Sequence, residues 1–147
     1  MQVSTIVVGT DGSKTAESAV LAAGEVADAF RSEVHVVCAN RSPNAAEALE
    51  LREQLPEEFR FNYDPYGGAE VALDSAEHLL AEHQLEVHRH SASGDPASAI
   101  LDLADDVDAD LIVVGSRGHG RTLRFLRGSV STKVMHHADR NVLVVHD

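Results

Sequence analysis

Short apolar runs alternating with stretches of helical spacing constrain this chain more than anything else in it. Thr5-Ile-Val-Val-Gly9, Val34-His-Val-Val-Cys-Ala39, Leu111-Ile-Val-Val114 and Asn141-Val-Leu-Val-Val145 are each too short for helices and rich in β-branched residues, which reads as buried strand. Between them, residues 15–30, 69–83, 95–107 and 129–137 repeat apolar residues at helical spacing. Leu85 to His90 alternates apolar and polar residues, which suits a half-buried strand near a sheet edge. A helix between two strands forces a parallel pairing with a right-handed crossover. Five strands with about four helices therefore predict a three-layer α/β sandwich.

Local signals place the turns. Thr10-Asp11-Gly12-Ser13 supplies turn and N-cap residues before the first helix, and Gly94-Asp95-Pro96 opens another, with Asp95 as N-cap and Pro96 at the first helical position. Ala45 to Leu55 reads as a short exposed helix, and Pro56 through Gly68 as irregular. At 147 residues the chain fits one domain, 1–147, able to bury a core of Val, Ile, Leu and Ala. No apolar run is long enough for a bilayer and no signal region opens the chain, so the expectation is a cytoplasmic protein with no membrane partner. Cys38, the only cysteine, excludes an intrachain disulfide and reads as a small buried side chain.

Charge then singles out one stretch. The chain carries 24 acids against 12 Lys plus Arg, which argues against nucleic-acid binding and fits a salt-rich cytoplasm. Yet no acid occurs between Asp110 and Asp139, where Arg117, Arg121, Arg124, Arg127 and Lys133 lie. The same interval holds Gly115, Gly118 and Gly128-Ser129, with the last pair opening a helix. Glycines allow close backbone approach, a helix start directs N–H groups outward, and guanidinium forks match phosphate oxygens. Together they predict a site for a phosphate-bearing ligand past the carboxyl ends of the strands, where the turns after strands one and four meet. Arg117, between the first two glycines, is the ligand-contact candidate, and Arg121, Arg124 and Arg127 set the local field.

Rival motifs fit less well. Gly115-x4-Gly120-Arg121-Thr122 lacks the lysine of a P-loop, and it follows the fourth strand. Gly118-His-Gly120 is followed by Leu123 where a dinucleotide fingerprint needs its third glycine, and no Gly-x-Ser-x-Gly elbow exists. His88 and His90, His136 and His137, and His78 and His83 read as solvated surface, while His119 lies within the glycine stretch. Asp11 has two compatible readings: a turn or N-cap residue, and a carboxylate meeting a nucleotide's ribose or its magnesium ion. Ser129 and Ser131 likewise serve as helix caps or reach phosphate oxygens.

Thr10-Asp11-Gly12-Ser13, Gly94-Asp-Pro96, Ala109-Asp-Leu-Ile-Val-Val-Gly-Ser-Arg-Gly118, Gly115-x2-Gly118-x9-Gly128-Ser129 and Val130-Ser-x-Lys133-Val134 occur in this order before the closing Asn141 to Val145. In that order and spacing the chain resembles the universal stress protein family over nearly its whole length. The resemblance implies an adenine nucleotide alpha hydrolase-like fold with parallel strand order 3-2-1-4-5, and a homodimer formed through the last strand. The glycine motif marks the ATP-binding branch. Carried over, Gly9, Thr10 and Asp11 would sit near adenine and ribose, with Asp11 as the magnesium candidate. Backbone at Cys38 or Ala39 would flank the base, and Gly115, Ser116, Arg117 and Gly118 with Gly128, Ser129, Val130 and Ser131 would hold ribose and phosphates. The implied ligand is ATP, with AMP or ADP as alternatives. The implied role is a nucleotide-dependent stress-response switch or interaction module with at most slow hydrolysis. An ATP-using hydrolase or adenylating enzyme of related architecture is the alternative reading, and a structural dimer without nucleotide the third.

Overall fold

The computed structural model describes residues 1–40, 45–60, 68–117 and 128–146. Five parallel strands, β1 (Thr5–Gly9), β2 (Glu33–Asn40), β3 (Val87–Ser93), β4 (Leu111–Gly115) and β5 (Asn141–Val145), form one sheet in the order β3-β2-β1-β4-β5. Alternation along the central strands explains the layers. Ile6 and Val8 of β1 face α1 (Lys14–Phe30) and α4 (Gly68–Leu80), joined by Val34, Val36 and Cys38 of β2 and Val113 of β4. Val7, Val37, Ile112 and Val114 point the other way, against α5 (Pro96–Asp106) and α6 (Ser129–His137). Ile6, Val7, Val8, Ile112 and Val113 are all fully buried, as strands covered on both faces require.

The sandwich is the predicted one, with four helices against the sheet. Two short helices, α2 (Ala45–Glu53) and α3 (Glu57–Arg60), add to it outside the core and bury none of their residues. The irregular reading of Pro56 through Gly68 is corrected at α3 and at Gly68, which opens α4; 61–67 lies outside the described residues. The third strand starts and ends later than Leu85 to His90. Gln84, at φ 51°, ends a 3-10 turn, and seven register pairs from Val34–Val87 to Asn40–Ser93 draw Ser91 to Ser93 into the ladder.

Side chains tie the turns to the sheet. Ser13 caps α1 by accepting from Ala16 N–H at 3.2 Å, and Asp11 Oδ1 accepts from Ser13 N–H at 2.9 Å. Asp110 Oδ2 accepts from the N–H groups of Ser4 and Thr5 at 2.8 and 3.0 Å, fixing the entry of β4 beside the start of β1. Arg140 donates to the carbonyls of Ala104 and Ala109 and pairs with Asp105 at 2.8 Å, which clasps the end of α5. The two edges differ. The outer strand β3 reads Val-His-Arg-His-Ser-Ala-Ser, whereas β5 reads Asn-Val-Leu-Val-Val, with Leu143 exposed. No helix among the described residues is long and apolar enough to cross a membrane.

Candidate functional site

The strand order fixes where a ligand would enter. The chain leaves β1 toward β2 on one side and returns through α5 to β4 on the other, so the connections diverge above the carboxyl ends of β1 and β4. A cavity of about 430 Å³ opens there.

Three short segments supply its polar wall. Gly9, Thr10 and Asp11 leave β1, Gly115 and Arg117 leave β4, and Gly128 through Ser131 begin α6. Ala39 contributes from β2. The first turn of a helix leaves its N–H groups without intrahelical acceptors, and at α6 those belong to residues lining the cavity. Glycine is required at 128 by proximity: a Cβ there would stand 2.5 Å from the Ser116 carbonyl oxygen and 3.0 Å from its carbon. Gly115 is similarly pressed against the start of α1, where a Cβ would lie 3.0 Å from the Thr15 carbonyl oxygen.

Not every expected residue lines the cavity. Cys38 turns to the α1/α4 face, and burial, with the Asp11 carboxylate adding to it, pushes its thiol up to about 11. It is no nucleophile at neutral pH. Ser116 is buried, and its N–H donates to the Val145 carbonyl at 2.9 Å; its own carbonyl lies against Gly128, leaving no room for a side chain there. The Ser131 hydroxyl donates to the Gly128 carbonyl at 3.0 Å, so it secures the helix start, and Gly128 stands at the N-cap with no side-chain cap bond. Ser129 and Arg117 are exposed at the rim. Gly118, His119, Arg121, Arg124 and Arg127 lie outside the described residues.

The opposite wall was not foreseen as part of a site. Pro96, Ala97 and Ile100 of α5, with Val37 and Val114, form an apolar side. The signal was present: Gly94-Asp-Pro96 announces a helix start, and a right-handed β3-α5-β4 crossover lays that helix over β1. At its rim Lys133 Nζ sits 2.8 Å from Asp95 Oδ2, the oxygen that also accepts from Ser98 N–H and Ser98 Oγ–H at 2.9 and 2.8 Å. The Lys133 contact first, then the Ser98 bonds, hold the Asp95 carboxyl down to about 2.

A carboxyl lowered by folding contributes stability that is present above its ordinary value of 3.8 and is lost as pH falls toward 2. Asp95→Ala is therefore expected to cost about 1 kcal/mol at pH 7, the usual loss of an N-cap. It should also flatten the acid limb of stability between about pH 4 and pH 2, in the window set by the lowered carboxyl. Urea unfolding at stepped pH measures both.

Comparison with known proteins agrees with this fold. A family model described as the universal stress protein family matches residues 2–146. A universal stress protein of Mycobacterium tuberculosis is 32% identical over 145 residues, covering 97% of this chain and 95% of the relative. Among solved structures, a universal stress protein in complex with cAMP superposes with a TM-score of 0.73 at 28% identity, covering 99% of this chain and 98% of that one. The universal stress protein of Archaeoglobus fulgidus in complex with dAMP gives 0.67 at 26% identity, with 99% of each chain covered.

Proposed function

Since the chain belongs to the universal stress protein family, we propose that it binds an adenine nucleotide, ATP foremost, in the cavity above β1 and β4 and acts as a nucleotide-dependent stress-response switch. The carrying observation is convergence: Gly9 to Asp11, Gly115 with Arg117, and Gly128 to Ser131 are far apart in sequence and share one cavity. Its volume of about 430 Å³ falls in the ordinary range of small-ligand pockets, roughly 300–1,000 Å³.

The division of labour follows from the walls. Val37, Ala97, Ile100 and Val114 offer apolar contact to a base. Asp11, held by its bond from Ser13 N–H, offers a carboxylate to a ribose hydroxyl or to a magnesium ion. The N–H groups at the start of α6 and the Arg117 guanidinium offer donors to phosphates, with the helix dipole favouring negative charge. Relatives captured with cAMP and dAMP support the adenine assignment. The Gly115-x2-Gly118-x9-Gly128-Ser129 spacing supports a longer phosphate chain and the ATP-binding branch.

Among the described residues the cavity lining includes no histidine, and the Asp95 carboxyl is held at about 2, poorly matched to a general base at neutral pH. We infer binding with at most slow hydrolysis. We further assign the chain as one cytoplasmic domain, 1–147, that pairs as a homodimer through the uncharged edge β5.

Calorimetry with ATP, AMP and cAMP tests the reading. Saturable binding of one nucleotide per chain is expected, with ATP tightest. No saturable binding of any of the three overturns the proposal. Turnover of bound ATP above about one per second would instead identify an ordinary enzyme.

A further inference from the structure

At the other end of the sheet the parallel register assembles a group that the nucleotide cavity does not use. His35 of β2 is the register partner of His88 on β3, and Glu33 is the partner of Thr5 on β1. Residues two apart on a strand share a face, so Glu33 joins His35, and His90 joins His88, on one side of the β2-β3 pair. The rings of His35 and His88 stack at 4.6 Å, and those of His35 and His90 at 5.1 Å. The reading of His88 and His90 as solvated surface holds only in part: both are half-buried and stack on the buried His35 of the neighbouring strand.

We propose that Glu33, His35 and His88 form a binding site for a divalent transition-metal cation of the Zn²⁺ class. One ligand atom from each already lies within 4.8 Å of the other two. Glu33 Oε1 is 3.0 Å from His35 Nε2, and Glu33 Oε2 is 3.9 Å from His88 Nε2. Bonds of about 2.0–2.2 Å in a tetrahedral site put ligand atoms roughly 3.3 Å apart, so the group must close by at most about 1.5 Å. His88, with 42% of its side chain exposed, has room to rotate inward.

The surrounding contacts are those that orient metal ligands. A cation on His35 Nε2 requires the ring proton on Nδ1, and His90 Nε2 lies 2.9 Å from Nδ1 to accept it. Thr5 Oγ1 donates to Glu33 Oε1 at 3.4 Å, and Glu86 Oε1 lies 3.0 Å from His88 Nε2, so the site offers three protein ligands and leaves a fourth position to water. Imidazole with carboxylate suits zinc and its neighbours; magnesium and calcium prefer oxygen alone. The exposed edge of β3 gives the ion a path from solvent.

Zn²⁺ alone is the probe, titrated by calorimetry into the nucleotide-free chain, with Co²⁺ absorption reporting the coordination. Because His35 is almost buried, the variants are Glu33→Gln and His88→Gln, at partly exposed positions, with His136→Gln/His137→Gln as a control on α6. One Zn²⁺ per native chain is expected, weakened at least tenfold in each of the two variants and unchanged in the control. The visible band of tetrahedral Co²⁺ should be lost with them. No binding, binding that survives either site variant, or binding lost only in the control overturns the proposal. None of these outcomes depends on whether the chain binds a nucleotide.

Discussion

Gly128→Asp is expected to lower ATP affinity at least about a hundredfold, a change of roughly 2.7 kcal/mol in binding free energy. The reasoning begins with crowding. A Cβ at 128 would meet the carbonyl group of Ser116 on one side and, at 3.0 Å, the Ser131 hydroxyl on the other. The first contact is backbone, so relief requires moving either the turn after β4 or the start of α6, and both line the cavity. The aspartate then adds a negative charge at the N–H groups proposed to receive phosphate. Gly128→Ala separates the two effects, since it keeps the crowding and omits the charge. Calorimetry with ATP on both variants, with thermal melts to confirm folding, gives the answer. Affinity within threefold of native in a folded Gly128→Asp chain would remove α6 from the phosphate site.

The largest stability effect is expected beneath that site. Ile112 is fully buried in β4, paired with Val7 of β1 and Val142 of β5, and belongs to the core under α5 and α6. Ile112→Ala removes methyl and methylene groups from close-packed surroundings and should cost about 2–5 kcal/mol. Against a total of about 5–15 kcal/mol for a typical domain, that is a large share of the margin. Urea denaturation at neutral pH measures it. A loss below about 1 kcal/mol would mean that the helices settle into the gap. Nucleotide binding by the folded fraction should persist, because Ile112 lies outside the cavity lining.

These two residues also show why the fold was readable in advance and the site only in part. Ile112 lies in a run buried on both faces, and such runs declare themselves by composition alone. Caps did so too: Ser13 and Asp95 both accept from the helix N–H expected of an N-cap. Asn40 onward was legible only in part: the short exposed helix read at Ala45 to Leu55 is α2, whereas α3 buries nothing and leaves no apolar period to read. In the cavity, residues fixed by local chemistry were visible, as with Gly128 and Asp11. Ile100 and Lys133 become part of the wall only through the crossover that lays α5 over β1 and α6 beside it. The histidine group was missed for a related reason, because His35 and His88, 53 positions apart in sequence, meet only through the register of two strands.

The unlike edges of the sheet bear on how far the molecule could assemble. An edge strand is a template for another strand, and charge or polarity along it discourages pairing. β3 carries His88, Arg89 and His90, with Arg89 bridged to Glu70 and Asp74 on α4, whereas β5 has no charged residue. A sheet open at both ends could extend into a fibre. With one margin shut and the other available, extension would have a single step: in the proposed homodimer two copies would meet margin to margin about a two-fold axis, and the joined sheet would then present only shut margins. Such an assembly would stop by geometry, with no separate device to cap it.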